Sequence, residues 1–190
     1  MDAAHHGRTV SGAIYYPSAG GGTPEIYADN PVFVGVPVLK DAAIAHGRHP
    51  LVLMSHGMGG HVRSLGWLST ALAERGAIVV AVNHPNSTWG DFDLVKGLDH
   101  WTRAQDLKLA LDAVLADPEI GAQIDISRIL VAGFSYGGWA ALSLGGADRQ
   151  SGRISGPLRG LWRHLKPLCG PHARRCGLGR YRPRHMGCRL

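Results

Sequence analysis

The segment Arg128-Ile129-Leu130-Val131-Ala132-Gly133-Phe134-Ser135-Tyr136-Gly137-Gly138-Trp139-Ala140-Ala141-Leu142-Ser143-Leu144 decides the fold. Its first part is a continuous apolar run, which predicts a strand over residues 128–134 covered on both faces. Residues 137–144 predict a short helix. A serine at such a strand-to-helix turn is forced into a sharp, strained backbone with its Oγ above the sheet edge. Gly133 and Gly137 are required because a Cβ at either position would meet the neighbouring helix or strand. The helix N-terminus below favours developing negative charge. Ser135 is therefore the candidate nucleophile. Out of this context, Gly-x-Ser-x-Gly is equally a plain tight turn.

Working towards the N-terminus, residues 10–16, 50–55 and 77–83 read as further strands, ended by Pro17, His56-Gly57 and His84-Pro85. Between them lie two helical patterns. Over residues 64–75, Leu65, Leu68, Leu72 and Ala73 recur at three- and four-residue spacing, and Gly76 is the stop. Over residues 102–116, Leu107, Leu111, Val114 and Leu115 share a face opposite Lys108 and Asp112. Strands alternating with helices predict an α/β architecture, a doubly wound parallel sheet with right-handed crossovers. Residues 18–23 form a glycine-rich turn, and residues 26–41 an irregular excursion or hairpin.

A second motif, Ser55-His56-Gly57-Met58-Gly59-Gly60, follows the strand over residues 50–55. A tetrahedral intermediate needs two backbone N–H groups converging on its oxygen. Here they would come from Met58, or its immediate neighbour, and from Tyr136. The alternative is a glycine-rich loop that only lets the strand turn. His84 and His100 suggest bases or metal ligands, but neither has a partner at ligand spacing. His84-Pro85-Asn86 either lines the pocket or holds a satisfied loop histidine. His5-His6 is too short and too terminal to read as a metal site, and no metal site is expected. Asn86-Ser87-Thr88 matches a glycosylation sequon but reads as a turn.

These stretches, with Gly12-Ala13-Ile14-Tyr15-Tyr16-Pro17, Val32-Phe33-Val34-Gly35 and His49-Pro50-Leu51-Val52-Leu53-Met54, resemble the dienelactone hydrolase-like group of the α/β-hydrolases. That large bacterial group is itself related to platelet-activating-factor acetylhydrolase-like esterases. The resemblance is collinear over about residues 7–147. It implies an α/β-hydrolase fold and a serine hydrolase of carboxylic esters or lactones, with no metal or organic cofactor. The candidate site read from the motifs is thus Ser135 as nucleophile, Met58 (or its immediate neighbour) and Tyr136 as oxyanion donors, and His56, Gly57, Gly59, Gly133, Gly137 and His84 as motif or pocket positions. Phe134 departs from the group, which commonly has a histidine before the serine.

Charge divides the chain in two. All 14 Asp and Glu lie at or before Asp148; ten basic residues leave residues 1–149 at −4, while residues 150–190 carry +10 and no acid. The three cysteines, Cys169, Cys176 and Cys188, and three of the 11 histidines also lie there. Residues 1–148 read as the N-terminal part of a hydrolase domain, with the C-terminal half of the sheet missing. Residues 149–190 read as a basic Arg/Gly/Pro/Cys-rich tail, disordered or translated out of frame from a shift near codons 146–150. A triad in this fold runs Ser, then Asp or Glu, then His. After Ser135 only Asp148 is acidic, and none of His164, His172 and His185 ends a strand. The expectation is a serine hydrolase impaired by loss of its acid and base. The competing expectation is an inactive pseudoenzyme or a binding module with a basic tail.

No Cys-x-x-Cys pair or aromatic platform accompanies the tail's charge, so neither zinc nor nucleic acid is expected there. No apolar stretch is long enough to span a bilayer. The start lacks a basic, then apolar leader, so a cytoplasmic location is expected unless an upstream segment carried an export signal. The expected partner is a small-molecule ester or lactone, with no membrane and no assigned oligomeric state.

Overall fold

The computed structural model describes residues 1–145. A short hairpin, β1 (Asp2–Ala3) and β2 (Arg8–Thr9), leads into β3 (Ser11–Tyr15). Four outlying strands follow: β4 (Ser18–Gly20), β5 (Thr23–Tyr27), β6 (Val36–Lys40) and β7 (Ala43–Ile44). Then come β8 (His49–Ser55), α1 (Gly66–Glu74), β9 (Ile78–Asn83) and the small pair β10 (Ser87–Thr88) and β11 (Asp91–Phe92). The chain continues through α2 (Leu94–Gly97), α3 (His100–Ala116), β12 (Ile124–Gly133) and α4 (Tyr136–Leu144).

The central sheet has the order β12-β8-β9-β3. β8 lies parallel to both β12 and β9, but β3 runs antiparallel to β9. The sheet is thus mixed, not wholly parallel. An apolar run reports that a strand is covered and carries no sign of its direction. β3 reaches β8 through surface hairpins, without a crossover helix, and residues 26–41 include most of the antiparallel β5–β6 hairpin.

Alternation along the strands builds a core on each face, because successive side chains point to opposite sides. Leu51, Leu53, Ile78, Val80 and Val82 face α3 and α4, where they meet Leu107, Ala110, Leu111, Val114, Ala140 and Leu144. Val52, Met54, Val79 and Ala81 face the other way, towards Ala73 of α1 and Val62. Ala3 and Val10 join the first of these cores, so the N-terminal hairpin is part of the domain's packing. Leu115, expected on the buried face of α3, is exposed. It lies in the helix's last turn, one residue past Val114, which takes the core position. Gly76 ends α1 as expected, at φ +92°, with the Ala77 N–H donating to Leu72 O.

Among the described residues β12 has a strand on one side only, and Ile126 and Leu130 on it are exposed. The residues expected to supply or fail to supply a triad, Asp148, His164, His172 and His185, lie outside the described residues, as do the three cysteines.

Leu107 is wholly buried between α3 and the sheet. Leu107→Ala should destabilise the fold by about 2–5 kcal/mol, the range for a truncated core leucine. Urea unfolding followed by circular dichroism would show a lower midpoint at unchanged slope.

Candidate active site

Ser135 is the N-cap of α4, with φ 53° and ψ −118°, a combination rarely adopted by a residue with a Cβ. Such a backbone costs about 1–3 kcal/mol and persists only where its surroundings impose it. Here they do. The Phe134 N–H donates to Ser55 O at 3.1 Å, and the Gly137 N–H to Phe134 O at 2.8 Å, closing the turn on β8. A Cβ on Gly137 would lie 2.7 Å from the His56 carbonyl oxygen and closer still to that of Ser55. One on Gly133 would lie 2.8 Å from the Gly138 nitrogen and closer still to the Gly137 carbonyl. Only glycines let the turn sit this tightly, and the Ser135 side chain is left exposed.

Opposite the turn, the loop after β8 is fixed by its own hydrogen bonds. The Gly59 N–H donates to Ser87 O at 2.9 Å, the Gly60 N–H to Gly57 O at 3.0 Å, and the Trp89 N–H to Gly60 O at 2.8 Å. Gly59 takes φ +69°. The loop lies directly against the serine: a Cβ on Gly57 would be 3.5 Å from the Ser135 Cβ and 3.3 Å from the Phe134 ring. Among the described residues, neither the Met58 nor the Tyr136 amide has a hydrogen-bond acceptor. For Tyr136 this is inherent, since the first amides of a helix have no intrahelical acceptor. Phe134 and Phe92, both largely exposed, flank the loop at Gly57 and Gly59 and give the site an apolar rim.

Beneath it lies a polar floor. Ser55, His56, His84, Arg103 and Asp106 are all buried. His84 Nδ1 donates to Asp106 Oδ2 at 2.8 Å, and its Nε2 lies 2.9 Å from Ser55 Oγ. Arg103 donates to Ser87 Oγ at 2.9 Å, to Ser55 Oγ at 3.2 Å and to the His56 carbonyl oxygen. Its guanidinium also sits 5.0 Å from the centre of the Tyr136 ring, a cation–π placement. The Tyr136 hydroxyl donates to Leu98 O at 2.8 Å. Arg103 thereby touches both segments that carry the candidate oxyanion amides.

Burial governs the charges in this floor. It pushes His84 down to about 4 against the pull of Asp106, and it pushes His56 down to about 3, aided by the charges of His84 and Arg103. Both imidazoles are neutral at pH 7. Burial lowers Arg103 to about 10, which leaves it cationic. For Asp106, burial acts upwards, but the hydrogen bonds and charge of its histidines outweigh it and the net shift is downwards.

Ser55, His84 and Asp106 have the connectivity of a Ser–His–carboxylate triad. All three are shut off from solvent, and Arg103 caps the Ser55 oxygen, so the arrangement is a support and not a second nucleophile. His84 is accordingly the satisfied histidine of the two alternatives, not a wall of an open pocket: Asp106 and Ser55 draw its ring inwards. His56 is also beneath the loop, with Nδ1 donating to Gly57 O at 2.7 Å and Nε2 facing Thr88 Oγ1 at 3.0 Å. The structure brings together Ser135, Tyr136, Gly133, Gly137, Gly57, Met58 and Gly59. Arg103 and Asp106 were missed in the sequence, although both occupy positions on the face of α3 that also carries Leu107 and Ala110.

No family model matches the chain. A stretch of 95 residues is 36% identical to Lipase 1 of Moraxella sp. (strain TA144), covering 50% of this chain and 27% of the lipase. Another match, Cutinase est1 of Thermobifida alba, is 34% identical over 95 residues, 49% of this chain and 29% of the cutinase. The solved ferulic acid esterase from Streptomyces cinnamoneus superimposes with a TM-score of 0.61 at 28% identity, covering 74% of this chain and 48% of that one. The chain thus spans under a third of the curated relatives and about half of this solved structure. The sheet order, the two helical layers and this superposition define an α/β-hydrolase fold.

Two outcomes are expected from this geometry. Gly137→Ala should lower stability by about 1–3 kcal/mol, as overpacking does, measured by urea denaturation. Stability should also fall as pH drops from 6.5 towards 4. In that window the unfolded chain binds protons at His56 and His84 that the folded chain refuses. A urea midpoint at pH 5 equal to that at pH 7 would contradict the buried, neutral state of these rings.

Proposed function

We propose that this chain carries the nucleophile and oxyanion part of a carboxylic-ester hydrolase of the dienelactone hydrolase-like type. The observation that carries the reading is the backbone of Ser135, strained and exposed at the head of α4 with the Gly57–Gly60 loop against it. Strain held by surrounding glycines at an exposed serine has a use where that serine attacks a substrate. The lipase and cutinase matches add support for ester chemistry.

In this reading Ser135 Oγ adds to an ester or lactone carbonyl. The Met58 and Tyr136 amides hold the resulting oxyanion, and the N-terminal end of α4 favours its charge. Collapse expels the alcohol and leaves an acyl-enzyme, which water hydrolyses. Phe134 and Phe92 suit an apolar substituent on either side of the carbonyl. The step that removes the serine proton needs a base. Among the described residues no histidine is hydrogen-bonded to Ser135, and His56 and His84 are engaged beneath it. The proposal therefore keeps the chain impaired, with no acid and base for Ser135 among the described residues.

The same observation favours one second reading, a pseudoenzyme or binding module that retains the turn without turnover. No helix among the described residues is long and apolar enough to cross a membrane, so neither reading invokes a spanning segment.

A fluorophosphonate probe separates the two. Covalent labelling of the folded chain, abolished in Ser135→Ala, is the outcome expected for a live nucleophile. Turnover of a p-nitrophenyl ester should stay near the roughly 10³–10⁴-fold acceleration over water that oxyanion donors and binding alone provide. A chain that is folded by circular dichroism and never labelled would sink the hydrolase reading and leave the binding one.

A further inference from the structure

The turn of the N-terminal hairpin places two neighbouring imidazoles side by side. The His6 N–H donates to Ala3 O at 3.0 Å and the Gly7 N–H to Ala4 O at 3.2 Å, with Gly7 at φ +65°. In an extended strand, adjacent side chains would point to opposite faces. In this turn the His5 and His6 rings lie with centroids 4.4 Å apart, and both Nε2 atoms converge on one oxygen. That oxygen is Asp106 Oδ1, at 2.7 Å from His5 and 3.0 Å from His6. Asp106 comes from α3, a hundred residues along the chain, and its side chain is wholly buried.

The carboxylate has an unusual set of partners. Among the described residues its ion-pair partners are His5, His6 and His84, with no lysine or arginine in contact. Arg103, one turn away on the same helix, directs its donors to Ser55, Ser87 and the His56 carbonyl. A buried carboxylate is costly to hold unless it is paired and hydrogen-bonded, and among the described residues only imidazoles do this for Asp106. Oδ2 is oriented by His84, while Oδ1 faces two imidazole nitrogens, and the three ligand atoms lie within 4.8 Å of one another. Two imidazoles and a carboxylate are the donor set that zinc and similar late first-row divalent ions take.

We propose that His5 Nε2, His6 Nε2 and Asp106 Oδ1 form a site for one zinc-like divalent cation, with a fourth position open to solvent. Zinc bonds of about 2.0–2.1 Å in tetrahedral array set ligand atoms roughly 3.3 Å apart. The present separations of 2.7 and 3.0 Å must therefore widen by a few tenths of an ångström. His5, with 22% of its side chain exposed, is free to give way at the hairpin tip. Each imidazole binds the ion through an unprotonated Nε2, so the two contacts to Asp106 Oδ1 give way to bonds to the ion. His84 on Oδ2 then acts as the outer partner that orients the ligand carboxylate. The ion would neutralise the buried charge and tie the hairpin to α3. The site stands independently of any chemistry at Ser135.

The test uses the full chain with Cys169, Cys176 and Cys188 alkylated, so that thiolates cannot bind the ion. After removal of metal with a chelator, zinc is titrated by calorimetry, and cobalt(II) is followed by its visible absorption. Zinc should bind at one equivalent and raise the thermal midpoint, because an ion that binds only the folded state stabilises it. His5→Ala/His6→Ala should weaken zinc at least tenfold while the circular dichroism is kept. His6→Asn, which retains a hydrogen-bond donor at that position but supplies no imidazole, should weaken it likewise. Equal affinity in wild type and variants, or no zinc binding at micromolar concentration, would overturn the proposal. Fluorophosphonate labelling of Ser135 should be the same in the His5→Ala/His6→Ala variant, which keeps this result separate from the fate of the hydrolase reading.

Discussion

Gly137 passes so close to the end of β8 that its missing side chain is what allows α4 to begin where it does. A Cβ there would press into the Ser55 and His56 carbonyls, and one on Gly133 would press into the first turn of α4. Between these two approaches Ser135 has no relaxed backbone available, and it adopts φ 53°. The β8–β12 pairing runs to Gly133↔Ser55, directly under this point, so the strain sits at the end of a parallel ladder. The start of α4 and the exposure of the serine follow from these two close approaches.

The contact has to be met from below by something equally rigid. Ser55 and His56, whose carbonyls receive Gly137, are themselves held by Arg103 and His84. Arg103 also faces the Tyr136 ring, so one guanidinium spans the loop after β8 and the first residue of α4. An apolar floor could fill the same space but would not fix a carbonyl in direction. A set of charged and neutral hydrogen bonds does, provided most members are satisfied. Here the exception is Arg103 Nε, which has no partner among the described residues.

Much of this was legible in the sequence because the decisive residues report backbone geometry locally. Gly-x-Ser-x-Gly between an apolar run and a helix former leaves few backbones to choose from, and Gly76 after a periodic helix marks its end. The core face of α3 was readable from Leu107, Leu111 and Val114, failing at Leu115 where the helix runs out. Strand direction was not readable, and β3 proved antiparallel. The polar floor was hidden for another reason. His84 and Asp106 are 22 residues apart and Ser55 and Arg103 are 48, and hydrogen bonds over such spans leave no period. One local signal was present: Arg103 and Asp106 occupy the same helical face as Leu107, Ala110 and Val114, where solvated charges do not belong.

The floor also bears on what Ser135 can do. A serine needs its oxyanion donors to be rigid and its proton acceptor to be mobile in charge. In the proposed reading the first demand falls to the amides on the loop after β8 and at the head of α4, and Arg103 contacts both segments. The second is met in this fold by a histidine and a carboxylate that follow the serine in sequence. The described histidines nearest the site are placed for the opposite task. Burial holds His56 and His84 neutral at pH 7, and their ring nitrogens face Gly57, Thr88, Ser55 and Asp106. Recruiting either as a base would dismantle the support that strains the serine. Among the described residues, rigidity and proton transfer are therefore not drawn from the same side chains, and in the proposed reading a base for Ser135 would approach from its exposed side.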